Sequence, residues 1–391
     1  MTLTAVPWFV LQTTGSATKT GITAFFDLIP VVVVSFIGGA LVDRMGYQRT
    51  SVLADLSSCF AVALIPLLYL LDHLSFSTLL ILVFIGGLLD PPGDSARSAL
   101  IPEAARNAGW SLERATGANA AIERGARLAG APIAGLLIAA AGATNVLWID
   151  ALTFGFSAIV ISSAIPRTHR VAPGPSARYI EELKEGIAFL WQDAALKAMI
   201  LTVTATNFLD AWFTVLLPVY ARAVYGSAIS LGLLYGAMGG GSLVGALLFA
   251  GRGRKLSRRT LFAVCFMTVT IRYPFLAVFP PEGVALSAML VAGVAAGPIN
   301  PIIDTISYER VPKGMRGRVL GISRSLAWMA MPLGVLSAGI VLDRLGLRVT
   351  LLALGCAYVA TTATIWLSRG IRGLDPRPET SILPSAVTSA R

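Results

Sequence analysis

The stretch Pro7-Trp8-Phe9-Val10-Leu11-Gln12-Thr13-Thr14-Gly15-Ser16-Ala17-Thr18-Lys19-Thr20-Gly21 returns 211 positions later as Pro218-Val219-Tyr220-Ala221-Arg222-Ala223-Val224-Tyr225-Gly226-Ser227-Ala228-Ile229-Ser230-Leu231-Gly232. The proline, the Gly-Ser-Ala triplet and the closing glycine keep register. Outward from there, Gly87, Pro91, Asp94 and Pro102 recur 210 later as Gly297, Pro301, Asp304 and Pro312, with Asn300 standing for Asp90. Gly117, Gly135 and Gly142 recur 204 later as Gly321, Gly339 and Gly346, and Arg114 as Arg318. The second half is a weak copy of the first.

Both copies are apolar. The chain is 55% hydrophobic and 13% charged, with a mean hydropathy of +0.74, outside the range of soluble domains. Segments of roughly 20 apolar residues, enough to cross a bilayer core, fall at 18–42, 50–72, 76–100, 112–141, 143–165, 196–222, 229–250, 259–279, 283–305, 319–343 and 346–368. With the fragment 1–13 they make twelve, six per half. The expected fold is an all-α membrane protein of two six-helix repeats: residues 1–165, a linker at 166–195, residues 196–368 and a disordered cytoplasmic tail at 369–391. Fragment 1–13 lacks a basic lead-in and a cleavage site and is too short to span. Pro7 matches Pro218, late in the seventh helix, so the first helix is expected to lack its N-terminal half, through a start-site error, a truncation or a natural short form.

The net charge of +10 is spread over every second loop, from Arg44 and Arg49 through Arg97, Arg106 and Arg114 to Arg252, Arg254, Lys255, Arg258 and Arg259. The alternate loops offer only Lys19, Arg222, Arg344 and Arg348. This asymmetry predicts both termini in the cytoplasm and makes the basicity a record of topology rather than of nucleic-acid binding. Cys59, Cys265 and Cys356 fall within spans, and neither a disulfide framework, a metal site nor a cofactor is implied. In the linker, Ile180, Leu183, Ile187, Leu190 and Trp191 share a helical face. They predict a short amphipathic helix on the cytoplasmic membrane surface, a plain linker with a helical turn or two being the other reading.

Between the second and third helices runs Gly39-Ala40-Leu41-Val42-Asp43-Arg44-Met45-Gly46-Tyr47-Gln48-Arg49. It resembles the signature loop of the major facilitator superfamily, departing at Tyr47 and Gln48 where basic residues are usual. The resemblance implies the major-facilitator twelve-helix fold and a cytoplasmic latch. In that latch Asp43 accepts from the N-terminus of the eleventh helix, Gly46 permits a tight turn, and Arg44 or Arg49 pairs with Asp94. Ordinary topogenic charge is the alternative. In the second half Phe249 replaces the aspartate. In the fifth helix, Gly125, Gly130, Pro132 and Gly135 resemble the superfamily's antiporter motif, with Ala131 interrupting the usual Gly-Pro pair. Small residues there imply close helix contact and the proline a bend.

Ionisable groups inside spans are costly and are therefore functional candidates. Asp27, Asp90, Asn119, Glu123, Arg127, Asn207 and Asp210 are expected to line a proton or substrate cavity, with Asp27, Glu123 and Asp210 the first choices for proton coupling. Glu123 and Arg127 lie four apart and can pair, a structural salt bridge being the alternative role. Asp150, in the outer part of the sixth helix, is a further candidate, the alternative being that Asp55 or Asp150 is merely solvated near an interface. Arg272 and Arg324 either pair with acids or extend their heads to the interface.

The runs Ala5–Gln12, Asp90-Pro91, Ala96–Glu103 and Arg316–Gly321 resemble the exporter branch that includes enterobactin and macrolide efflux proteins. That resemblance implies a monomeric, proton-driven exporter of hydrophobic, drug-like or siderophore-like molecules in the bacterial inner membrane. His73 and His169 lie in loops with no nucleophile or ligand cluster, which argues against an enzyme. A lipid flippase, a receptor or an inactive truncated member shares the fold, and the sequence does not separate them.

Overall fold

A computed structural model describes residues 2–35, 42, 45–165, 176–252, 257–312 and 315–367. Among them the first half carries α1 (Thr2–Thr14), α2 (Ala17–Ser35), α3 (Tyr47–Leu70), α4 (Phe76–Leu88), α5 (Asp90–Asn107), α6 (Leu112–Ala141) and α7 (Ala143–Ala164). A connecting helix, α8, spans Ser176–Gln192. The second half carries α9 (Ala194–Ala211), α10 (Phe213–Tyr220) running into a π turn at Ala221–Tyr225, α11 (Ala228–Arg252), α12 (Arg258–Ala277), α13 (Glu282–Ala296), α14 (Ile299–Arg310), α15 (Arg316–Met329) and α16 (Met331–Leu367). Gly346, at φ 74° and ψ 168°, breaks α16 into two crossings.

Nine helical stretches among the described residues are long and apolar enough to cross a membrane. The last of them contains the Gly346 break. Helix α6 has the length but carries Glu113, Arg114, Glu123, Arg124 and Arg127, which offset its hydropathy. Helix α1, with 13 residues, is about 20 Å long at 1.5 Å per residue.

Packing follows the repeat. Helix α3 lies against α7 as α12 lies against α16, and α2 against α4 as α11 against α13. The recurring glycines sit where backbones nearly touch. A Cβ on Gly87 would lie 2.8 Å from the Asp27 carbonyl oxygen on α2. Its counterpart Gly297 meets the α11 backbone at Ser242 and Ala246 in the same way. In hydrocarbon, where no hydrophobic effect drives helices together, such contacts supply the dispersion energy that does.

Two seams join the halves, α2 with α16 and α6 with α11. They too are related by the repeat. On the first, a Cβ on Gly21 would stand 2.7 Å from the Val335 carbonyl oxygen and 3.1 Å from Gly339 Cα. On the second, a Cβ on Gly135 would stand 2.6 Å from the Ala228 carbonyl oxygen and 3.0 Å from Gly232 Cα. Gly21 corresponds to Gly232 and Gly339 to Gly135, so each seam is built from the same pair of repeat positions with the halves exchanged. Both contacts lie toward one end of the bundle, the end holding the α1–α2 turn, Gly142 and Gly346. We call it the far end, opposite the basic loops.

Gly46 precedes α3 at φ 84° and ψ 149°, backbone that a side chain enters only at about 1–3 kcal/mol. Gly46→Val is expected to lower the thermal unfolding midpoint of the purified protein, and an unchanged midpoint would remove the turn requirement. Gln48, departing from the basic pattern, is 7% exposed and donates from Nε2 to the carbonyls of Ser162 and Ile165, at 3.2 and 2.6 Å. It satisfies carbonyls at the end of α7, which have no partner within the helix.

Candidate functional site

The polar groups collect in three places. The first lies between α2 and the α4–α5 junction. Asp27 and Asp90, both half-buried, interact electrostatically, and Ser58 donates to Asp90 Oδ1 at 3.3 Å. Gly87, one turn before Asp90, lets α2 approach closely enough that its added Cβ would lie 3.7 Å from Asp27 Oδ1. Close packing of α2 on α4 thus brings together two acids 63 positions apart.

The second place is a cavity of about 220 Å³ in the second half, lined by Asp210, Phe213, Tyr235, Met238, Arg272, Met289 and Tyr358 among others. Asp210 is 40% exposed there, while its ion-pair partner Arg272 is 3% exposed. Arg272 also donates to Tyr273 Oη at 2.8 Å, and Tyr358 donates to Asp210 Oδ2 at 3.2 Å. The guanidinium lies 4.1 Å from the Phe213 ring centroid and 4.8 Å from that of Tyr273, so ring faces replace part of its lost hydration. A carboxylate anchored on one side and open on the other, with aromatic and thioether walls, can receive a hydrophobic cation. Of the two readings for Arg272, pairing is the one observed.

The third place is the half of α6 toward the basic loops. Asn119, Glu123 and Arg124 are exposed there. The antiporter-like motif divides along the helix: a Cβ on Gly135 meets α11 backbone, and Pro132 packs under Gly236, but nothing lies within 4 Å of a Cβ on Gly125 or Gly130. Close contact is expected at Gly125 and Gly130 and is absent there, whereas Leu128 between them still packs near Gly239 and Gly240 of α11. The side chain of Arg127 lies outside the described residues.

Other expectations need correction. Asn207, expected to line the cavity, donates from Nδ2 to the Ala327 carbonyl at 2.9 Å, tying α9 to α15. Asp55 is 3% exposed rather than solvated. It accepts from Arg97 at 2.7 Å and from Ser157 at 2.6 Å. Asp150, 5% exposed, accepts from Thr2 Oγ1. Asp94 pairs with Arg97 on its own helix at 2.5 Å, while Arg49 is exposed. Gly39, Asp43 and Arg44 lie outside the described residues. Arg97 belongs to the basic loop that sequence reading treated as topogenic; no local signal marks it as the link between α3 and α5.

At the basic end, Arg258 grips Glu309 with two bonds, at 2.5 and 2.8 Å, and Arg310 reaches Asp193 at 2.9 Å. Burial raises the Asp193 pKa, but N–H bonds from Leu196 and Ala195 and the Arg310 cation outweigh it and hold it below the ordinary carboxylate value. That contribution to stability is present above the unfolded pKa and is lost as pH falls through the lowered one. Connecting helix α8 docks on α15 through Gly186 against Ile322 and Glu185 with Arg318 at 3.1 Å. On its expected amphipathic face Leu190 is fully buried while Ile187 and Trp191 are exposed, and the side chains of Ile180 and Leu183 lie outside the described residues.

A family model described as Major Facilitator Superfamily matches residues 1–335. "Multidrug efflux pump Tap" of Mycobacterium tuberculosis is 34% identical over 389 residues, covering 98% of this chain and 92% of that protein. "Macrolide efflux protein A" of Streptococcus pyogenes is 21% identical, covering 95% and 92%. A crystal structure of the nucleoside transporter NupG superposes with a TM-score of 0.78 at 12% identity, covering 94% of this chain and 95% of that one.

Proposed function

Because this chain belongs to the major facilitator superfamily, and is a multi-pass membrane transporter rather than an enzyme, we propose that it exports hydrophobic, drug-like molecules across a bacterial inner membrane in exchange for protons. The observation that carries this reading is the asymmetry of the two seams. Helix backbones meet at the far end, while in the other half of α6 nothing lies within 4 Å of a Cβ on Gly125 or Gly130. A bundle closed at one end and open at the other is one state of an alternating-access cycle. The positive-inside rule puts the basic end in the cytoplasm, so this state takes substrate from inside. The names of the Tap and macrolide relatives support export over import.

Within that reading Asp210 recognises a cationic or donor group of the substrate, with the ring-lined cavity taking its apolar part. Substrate and Arg272 compete for one carboxylate. The Asp27–Asp90 pair carries the proton, both carboxylates being half-buried and held near one another by the close approach of α2 to α4. Asp43 and its glycines latch the cytoplasmic end when it closes, and the protein works as a monomer in the bilayer.

Inverted vesicles from cells producing the full chain test this. An imposed outward proton gradient, with the lumen acidic, should drive uptake of tetraphenylphosphonium or a macrolide at least severalfold above vesicles carrying Asp27→Asn, and a protonophore should abolish the difference. Equal uptake with and without the gradient would exclude proton coupling; no uptake of either probe would exclude export of this substrate class.

A further inference from the structure

The α1–α2 turn is held from the other half by two opposite charges. Asp343, three residues before the Gly346 break, accepts from Ser16 Oγ at 3.0 Å and from the N–H groups of Ala17 and Thr18 at 3.1 and 2.8 Å. These are among the first N–H groups of α2, which have no partner inside their own helix. Arg222, on the π turn, donates to the carbonyl of Leu11 in the last turn of α1. Thr18 Oγ1 adds a bond to the Gly339 carbonyl at 3.3 Å. An anion thus sits at the N-terminal end of α2 and a cation at the C-terminal end of α1, each in the favourable sense of the helix dipole. The turn belongs to the first half and both charges to the second.

Among the described residues the other seam shows no such device. At the repeat spacing of 204, Asp343 corresponds to Ala139. The start of α11 is capped locally by Ser227, which accepts from the Ile229 N–H at 3.1 Å. Among the described residues the glycine contact at the α6–α11 seam stands without a bridging charge.

We propose that Asp343, assisted by Arg222, is an outer clamp that sets how readily the far end opens, and that both are positioning residues rather than substrate ligands. The inference rests on the alternating-access reading above. For the far end to open, α2 must leave α16, and the Asp343 carboxylate and the α2 amides then exchange one another for water. Asp343 is exposed in the closed state. Water therefore competes for it throughout, which keeps the clamp weak enough to release in each cycle.

The full chain in lipid nanodiscs, with Cys59, Cys265 and Cys356 replaced by alanine and spin labels at positions 12 and 348, reports the far-end separation. Gln12 and Arg348 are both exposed. Without substrate, Asp343→Asn should raise the ratio of long to short distances roughly tenfold, the scale of a lost charge-assisted contact at a helix terminus. Asp343→Glu should stay near wild type. An unchanged distribution in folded Asp343→Asn overturns the clamp. Should that variant not fold, Ser16→Ala and Arg222→Gln must each shift the same ratio by about twofold to fivefold, and no shift overturns it. A normal distance response in a protein whose vesicles show no proton-driven uptake would retain the clamp and sink the efflux reading.

Discussion

Gly135→Val is expected to abolish efflux while leaving a membrane-inserted protein. A Cβ at this position would lie 2.6 Å from the Ala228 carbonyl oxygen and 3.1 Å from the Gly232 nitrogen. Both are backbone atoms of a helix, so no rotamer change relieves the clash and α6 must move away from α11. Each six-helix unit keeps its own packing, so the cost falls on the far-end closure. Transport should drop below about a tenth of wild type, since one unrelieved overlap costs about 1–3 kcal/mol, and a label at the far end should become more accessible. The contrast is Gly125→Ala, from the same motif, where nothing lies within 4 Å of the new Cβ. There the gain in helix propensity, about 1 kcal/mol, should raise the melting midpoint. If Gly135→Val transports normally, closure of that seam plays no part in the cycle.

The second large effect is an asymmetry within one ion pair. Asp210→Ala leaves Arg272, 3% exposed, with a phenol oxygen, the Met238 thioether and two ring faces but no anion, and breaking a buried pair in this way costs about 3–5 kcal/mol. Arg272→Met instead leaves Asp210, which is 40% exposed and can be solvated from the cavity, and should cost less than half as much. The double variant should recover most of the stability lost in Asp210→Ala, because no unpaired buried charge remains. Thermal unfolding in detergent decides it. Equal losses for the two single variants would mean that Arg272 is hydrated by a route other than Asp210.

Much of this was legible in the chain itself, for a specific reason. Gly21, Gly87, Gly135, Gly232, Gly297 and Gly339 stand out as repeats, and every one of them is a place where helix backbones approach too closely for a side chain. The spans were legible because hydrocarbon requires continuous apolar helix, and the break at Gly346 because only glycine enters its backbone conformation readily.

The partners of charged groups were not legible. Asp55 and Asp150 look from sequence like interfacial acids, yet both are buried against hydroxyl donors from distant helices. Arg97 reads as a topogenic charge and serves as a bridge between Asp55 and Asp94. Asp343 has no repeat counterpart to draw attention to it, and its three donors lie 325 to 327 positions away. Sequence by itself determined which segments are apolar enough to lie in the membrane and that they form two like halves, because each is a local demand of lipid on backbone and side chains. Tertiary structure alone decided which charge meets which, and which end of the bundle is shut. Those depend on long-range helix placement, and a carboxylate carries no local mark of the cation or amide that will reach it.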